Sequence, residues 1–513
     1  MRKNKGCIDR LVTEIKNHRL IYILLSVILI GCFIARVYRI DQLLGFYYDQ
    51  GRDALAIWNL WEKGDFFLIG PVTGLAGIFL GPAYYYIIAP FYKLGNGSPI
   101  YPSIFLSFTT TVAAFMLYIL GKKFHSREAG LFAATIFSFS YFLALASRWL
   151  SNPTMIILGS VALVWAMYEI TQKKRWVWPV SALILGLNLQ FEAASAVFYL
   201  PAYFIFVVWQ RKNLPSFKIS ILTIVVLLST FIPQVLFDVR HEGVIGNSIA
   251  RELFVQKAFR PSIWEVAKIR FPMYFHYFST KVVPFKDDFN MVALVVVTFT
   301  FFIFRRRIFV NEGIKIVFLI FISPLVGYLF FQGNLGRVYD YYFTGYYLPF
   351  VLILAIGLAQ LYKFKFTKPL VFLFFIVFFV VNGRSLQQFG ASVDRPTHIS
   401  LGNQIRSIQW ILDDSKLKPF NVDFYVPPIV PYSYDYLFLW QTNSKCGTSL
   451  CNMKLDEHAP LLYTLYEVDS PHPERLEAWL SRHEGIGIVQ ETIKFGGITV
   501  ERRTRISDEG LKK

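Results

Sequence analysis

Apolar blocks too long for a soluble core recur along this chain, each set off from the next by a short polar segment, and that alternation points to a membrane. IYILLSVILIGCFIARVYRI (21–40) and PLVFLFFIVFFVVNG (369–383) are two of them. Runs of this kind read as membrane spans. The composition agrees, with 55% of residues hydrophobic and 17% charged, whereas soluble domains carry about a quarter charged residues. The first block is too long for a removable leader and has no small-residue cleavage site, so it reads as a retained signal anchor.

A net charge of +18 raises nucleic-acid binding as a function, but its distribution argues against that. Residues 384–513 hold 15 Lys and Arg against 16 Asp and Glu, so the whole excess lies upstream, where 37 basic residues face 18 acidic ones. The upstream cations gather between apolar blocks: RKNKGCIDR with Lys16 and Arg19, KKFHSR (122–127), KKR (173–175), RK (211–212), RRR (305–307) and KFKFTK (363–368). This is how cytoplasmic loops of membrane proteins are marked, not how a face tracks phosphates.

With all six clusters on one side, an odd number of spans must return between the first and the second. FLGPAYYYIIAPFY, broken by Pro82 and Pro90, is therefore expected as an interfacial or re-entrant segment. Eleven spans result, at 20–38, 101–121, 128–147, 153–171, 177–190, 194–209, 217–236, 289–304, 314–331, 344–361 and 369–383. The fifth and sixth are short: at about 1.5 Å per residue they reach roughly 20 to 24 Å, against a hydrocarbon core of about 30 Å. Their turn, bearing Gln190 and Glu192, should lie below the outer surface, where a carboxylate needs water or a partner.

An odd count puts the N-terminus in the cytoplasm and residues 384–513 outside. There NVDFYVPPIV, PLLYTLYEVD, GIGIVQETI and GGITVERRT alternate with the helix-like IRSIQWILDDS and PERLEAWLSRH, as in a small α/β domain. Cys446 and Cys451 bracket CGTSLC in an oxidising compartment, where they can pair; two unpaired thiols are the alternative. Cys7 falls on the cytoplasmic side. The expected fold class is an all-α polytopic membrane protein with about eleven transmembrane helices, residues 1–383, and a small C-terminal α/β extracytoplasmic domain, residues 384–513.

On this topology the outer side collects the unusual polar segments: the first external loop (39–100) with FYYDQGRDALAIWNLWEKGDF, then SRWLSNP, Gln190 with Glu192, FDVRHEG, and GNLGRVYDYYFTGYY. A transporter places charges at mid-depth; these sit at span ends. Asp49 and Asp53 lie four apart with Arg52 between them, leading an amphipathic helix whose Leu, Ile and Trp can lie in the interface. On a helix both carboxylates share one face about one turn apart. The arrangement suits an acid, a base or a cation site; an N-terminal cap with an Asp53–Arg52 surface pair is the alternative.

YYDQGRDALAIWNLWEKGDFF followed by FLGPAYYYIIAPFYKLG resembles the first external loop of the GT-C membrane glycosyltransferases, in particular the bacterial glycosyltransferase family 39 group, similar to protein O-mannosyltransferases and the aminoarabinose transferase of lipid A. SRWLSNPTMI, GLNLQFEAASAVFYLP, FDVRHEG and YDYYFTGYYLPF resemble later elements, so that most of residues 20–361 is covered. The resemblance implies transfer of a sugar from a polyprenyl-phosphate donor to a protein, glycan or lipid acceptor on the external side, with inversion. Asp49 falls on the family's catalytic aspartate. Arg52, Arg148, Arg240 and Arg337 are the external arginines available to a lipid phosphate, the last two being preferred, and Asp53, Asn152, Glu192 and Tyr339 are further substrate-binding candidates.

The chain departs from the pattern at Gln50, where the family has Glu, at Gly81, where many members have Lys, and at Asn152, where they have Asp. Fewer carboxylates weaken the case for a hard cation, so no metal ligand is assigned, while a divalent cation stays open as a cofactor. Other readings stand beside these: Asn152 as the cap of the helix that starts at Pro153, Asp238 paired with Arg240, His241 as a surface histidine, Glu192 as a water-exposed turn residue, and Tyr339 to Tyr347 as an interfacial aromatic belt. Membrane lipids are expected partners and nucleic acid is not. A carrier that moves a polyprenyl-linked sugar without making a bond is the competing function.

Overall fold

The computed structural model describes residues 13–252, 262–331, 336–416, 418–427, 430–447, 451–455 and 457–506. The N-terminal cluster RKNKGCIDR, with Cys7, lies outside the described residues. Seven helices are long and apolar enough to cross a membrane: Arg19–Val37, Ile100–Phe124, Pro153–Thr171, Asp287–Ile308, Glu312–Phe330, Asp340–Tyr362 and Lys368–Gly390. Two bent pairs also qualify when each is taken as one span, Arg127–Phe139 with Tyr141–Arg148 at 67° and Phe217–Ser229 with Ile232–Arg240 at 48°. The fifth and sixth expected spans are the shorter apolar helices Val177–Phe191 and Ala193–Trp209. Each of the eleven apolar blocks thus has a helical counterpart, although seven to nine meet the length of a span among the described residues. The protein is a multi-span membrane protein.

The sharper of the two bends has a clear cause. Ser140 adopts an extended backbone that ends one helix and opens the next, and its hydroxyl accepts from Leu143 N. The break strands carbonyls inside the bundle, where an unpaired acceptor is costly. Arg36, wholly buried on the first span, reaches them: it donates to Phe137 O and Ser138 O, both at 3.1 Å, and to Cys32 O at 3.0 Å. A buried cation without a carboxylate is thereby used as a helix cap.

The bundle has two chemically distinct ends. At one, Lys122 and Arg127 meet Glu14 (2.6 and 2.9 Å), Lys123 and Lys174 share Glu169 (both 2.5 Å), and Lys363 reaches His125 at 3.2 Å. At the other, Ala54, Ile57, Tyr84, Tyr85, Leu150, Met155 and Phe191 form one apolar cluster with side chains of the C-terminal α/β part. Residues of three basic clusters, 122–127, 173–175 and 363–368, thus gather at one end, and the first external loop packs at the other.

Helix Lys368–Gly390 runs past residue 383, and the α/β part builds from Leu401 onward. Its sheet comprises β1 (Phe420–Tyr425), β2 (Leu461–Glu467), β3 (Gly487–Phe495) and β4 (Ile498–Arg505), in the order β1-β2-β4-β3, with β1 parallel to β2 and the other pairs antiparallel. All four strands fall on the expected runs. Gly496 closes the β3–β4 hairpin at φ 59°, where a side chain would also strike Asn403 and the His398 carbonyl. Cys446 and Cys451 are joined in a disulfide.

Helix Tyr432–Cys446 joins this sheet to the bundle. Tyr434 lies against Phe424 of β1, while Tyr436 packs on Trp58 and Tyr92 and donates to Gly97 O. Behind it, Glu467 is buried and accepts from the Tyr434 hydroxyl at 2.8 Å. Burial pushes this carboxyl up to about 7, with the Tyr434 and Gln404 hydrogen bonds pulling the other way. A folded value above the ordinary glutamate value means that the group's contribution is full below about pH 4 and lost as pH rises through about 7. Glu467→Gln keeps an acceptor and removes the titration. Its melting temperature is expected to gain on the parent's between about pH 5 and pH 8; a difference that does not change with pH would contradict the assignment.

Candidate functional site

The site is built on helix Tyr48–Lys63. Its first turn is organised by Gln50, whose Oε1 accepts from Tyr47 N at 3.0 Å. The residue that stands where the family has Glu is thus engaged as a cap, and it is 3% exposed. Gln50, Gly51, Asp53, Ala54, Ile57 and Leu60 form the buried face. That face does not lie in the lipid interface as its amphipathic pattern suggested, because helices Ala83–Leu94 and Tyr432–Cys446 cover it.

Asp49 and Asp53 lie one turn apart, as their spacing requires, and both meet Arg52. Its Nη1 is 2.9 Å from Asp49 Oδ1 and its Nη2 is 2.8 Å from Asp53 Oδ1. The guanidinium therefore takes the position that a cation bridging the two carboxylates would need. Their surroundings differ sharply: the Asp49 side chain is 55% exposed and that of Asp53 only 5%. Tyr85, which sequence reading did not single out, donates its hydroxyl to Asp53 Oδ1 at 2.8 Å. Burial pushes the Asp53 carboxyl up to about 6, with Arg52 and Tyr85 opposing. Asp53 is thus the anchored member that fixes Arg52, and Asp49 is the member open to solvent. Among the described residues no three His, Cys, Asp or Glu side chains gather as metal ligands do.

The second group joins Asn152 and Glu192. Asn152 Nδ2 donates to Phe191 O at 2.6 Å and to Glu192 Oε2 at 3.2 Å. The capping role for Asn152 is not what the structure contains: its backbone is helical and its side chain accepts no bond from the following turn. Glu192 is 6% exposed, so it is not a water-exposed turn residue. The neighbouring Gln190 accepts from Ala83 N at 3.1 Å and fills the space beside Gly81, where many family members have lysine.

Of the remaining arginines, Arg148 is 5% exposed and turned inward, donating to Tyr38 O at 2.9 Å with its guanidinium 5.1 Å from the Phe389 ring centre. Arg240 and Arg337 are exposed. Asp238 does not pair with Arg240; its Oδ1 caps the next helix by accepting from Ile245 N at 2.6 Å. His241 is exposed and stacks on Phe237 at 3.9 Å. The Arg240 segment packs on the first external loop through Phe237 against Phe79 and through Gln234, which donates to Phe79 O at 3.0 Å. Tyr339 is 41% exposed and stacks on Tyr341 at 5.6 Å.

Residues 80–237 match the sequence model of the dolichyl-phosphate-mannose-protein mannosyltransferase family. The match begins downstream of Asp49. No curated protein sequence matches the chain. Among solved structures, apo ArnT from Cupriavidus metallidurans superposes with a TM-score of 0.58 at 9% identity, covering 95% of this chain and 98% of that one. The structure therefore has the GT-C fold. ArnT bound to undecaprenyl phosphate superposes at 0.51 with 9% identity over 94% of this chain and 98% of that one. AglB from Archaeoglobus fulgidus, solved with an inhibitory peptide and a dolichol-phosphate, gives 0.52 at 10% identity over 92% and 73%. Asp49 stands in the first turn of helix Tyr48–Lys63, which follows the apolar helix Arg19–Val37.

Proposed function

We propose that the protein is an inverting glycosyltransferase that moves a sugar from a polyprenyl-phosphate donor to an acceptor hydroxyl or amine, on a protein, glycan or lipid, at the extracytoplasmic face. In this reading the basic end of the bundle, and the N-terminus with it, is cytoplasmic, and the unit beginning near residue 384 is outside. The observation that carries it is Asp49, a half-exposed carboxylate with one oxygen held by Arg52, at the polar end of a GT-C bundle. The family match and the lipid phosphates bound by ArnT and AglB support such a donor.

An acceptor hydroxyl is a poor nucleophile until a base within hydrogen-bond reach takes its proton. Asp49 is that base; it acts as an oxocarbenium-like sugar separates from its phosphate, and attack from the opposite face inverts the anomeric carbon. The leaving phosphate gains charge, which paired guanidinium donors stabilise. Arg240 and Arg337 are proposed for that role. No residue is proposed as a metal ligand.

The test uses purified full-length protein in detergent, with a labelled polyprenyl-phosphate sugar and a panel of acceptors. Product is expected without any second compartment. A carrier that only moves the donor across a bilayer would form none, and that outcome overturns the reading.

A further inference from the structure

A cavity of about 250 Å³ opens beside Pro153, one residue from Asn152, and its walls carry groups that the proposed reaction leaves without a task. Trp149 and Tyr341 stand edge to face at 6.0 Å and both line it. Lys281, whose side chain is 4% exposed, places Nζ 2.6 Å from Asp340 Oδ2 and 4.9 Å from the centre of the Tyr347 ring. Asp340 is 45% exposed by side chain, and its Oδ1 accepts from the Tyr347 hydroxyl at 2.9 Å. Thr344 donates to Tyr341 O at 2.7 Å, which leaves its oxygen as an acceptor.

The equipment is specific. A buried ammonium is expensive unless it is paired and its remaining donors are used. An ammonium has three donors, and Asp340 takes one in a charge-assisted bond. The carboxylate retains lone pairs on its exposed side. The cavity thus offers, side by side, a cationic donor and an anionic acceptor with no net charge, under two aromatic rings. Two adjacent hydroxyls on a sugar ring complement that pair, one accepting from Lys281 and the other donating to Asp340, while the C–H face of the ring lies on Trp149 or Tyr341. A site smaller than the roughly 300 Å³ at which drug-sized pockets begin holds a single ring. A sugar carrying an ammonium group meets Lys281 as a like charge and Asp340 as an opposite one, so it draws less from the pair than a neutral ring whose hydroxyls use both.

Resting on the reading of the protein as a glycosyltransferase, we propose that this cavity is the subsite for one uncharged pyranose bearing vicinal hydroxyls, held by the Lys281–Asp340 pair under Trp149 and Tyr341. The sugar belongs to the lipid-linked donor or to a glycan acceptor, and the experiment separates the two.

Binding to the full-length protein in detergent is compared for polyprenyl phosphate, polyprenyl-phosphate hexose, polyprenyl-phosphate aminopentose and a free neutral oligosaccharide, with the parent, Lys281→Met and Trp149→Leu. The hexose is expected to tighten binding of the lipid phosphate about tenfold in the parent, with neither variant keeping that gain, and the aminopentose to tighten it less. Loss confined to the free oligosaccharide assigns the same subsite to the acceptor. A hexose or oligosaccharide gain that survives in both variants, with melting temperatures near the parent's, overturns the proposal. Since binding is read without turnover, a failure here leaves the role of Asp49 untouched, and a protein inactive in transfer still reports on the cavity.

Discussion

Asp49→Asn should insert, fold and melt like the parent yet transfer sugar on the order of 10²- to 10⁴-fold more slowly, the range lost when a positioned base is removed. The amide has the size of the carboxylate and still accepts from Arg52, but it cannot take the acceptor proton. The cost in stability is small because the pair it breaks is a surface pair: the Asp49 side chain is 55% exposed and joins Arg52 in an i,i+3 contact at 2.9 Å. Such helix pairs are worth about 0.2 to 0.5 kcal/mol. Asp53→Asn makes the contrast. There the carboxylate is buried, accepts from Tyr85 and shares Arg52 with Asp49, so its exchange for an amide weakens the charge-assisted bonds that position Arg52 and should show first as a lower melting temperature. The discriminating measurement is single-turnover transfer together with thermal unfolding for both variants. Parental transfer by Asp49→Asn would remove the base from this site.

How much of this arrangement the chain declared beforehand depends on the range of the interaction. The spans were legible because hydrocarbon imposes its condition on every residue of a block, and the basic clusters sorted the ends because translocation reads loops locally. The four strands showed through their period-2 runs. What escaped was long-range. Helix Tyr432–Cys446 carries apolar residues on both sides, since it lies between the sheet and the first-loop helix, and therefore offered no amphipathic stripe to find. Arg148 looked like a surface arginine at a span end until the carbonyl of Tyr38, 110 residues away in sequence, claimed it. Asn152 had the sequence of a cap before a proline, yet its amide was spent on Phe191 and Glu192. Lys281 and Asp340 were unreadable as a pair for the same reason: 59 positions separate them, and Lys281 sits in no motif. The segment YYDQGRDAL remained informative because its carboxylates and arginine lie within one helical turn.

At Gly51 the α/β part packs directly on the helix that bears Asp49, and Gly51→Val is expected to be strongly damaging. A Cβ at this position would overlap backbone atoms of Tyr432 and Ser433. Backbone cannot swing aside as a flexible side chain does, so helix Tyr432–Cys446 must withdraw. Withdrawal breaks several docking contacts together: the Tyr48–Tyr432 ring pair at 4.9 Å, the Trp440 bond to Asn96 O at 2.9 Å, and the Leu401 N to Leu44 O and Gln404 to Phe46 O bonds at 2.8 and 2.9 Å. Overpacking of this kind costs about 1 to 3 kcal/mol and occasionally more. Because Asp49 lies two residues away on the same turn, transfer should fall with docking, and segment 391–400 should become a protease target. Gly383→Ala is the matched control: nothing lies within 4 Å of its Cβ, within the helix Lys368–Gly390, and alanine there should be neutral or stabilising by about 0.5 to 1 kcal/mol. Melting and cleavage patterns equal to the parent's in Gly51→Val would mean that the α/β part is not braced on the helix that bears Asp49.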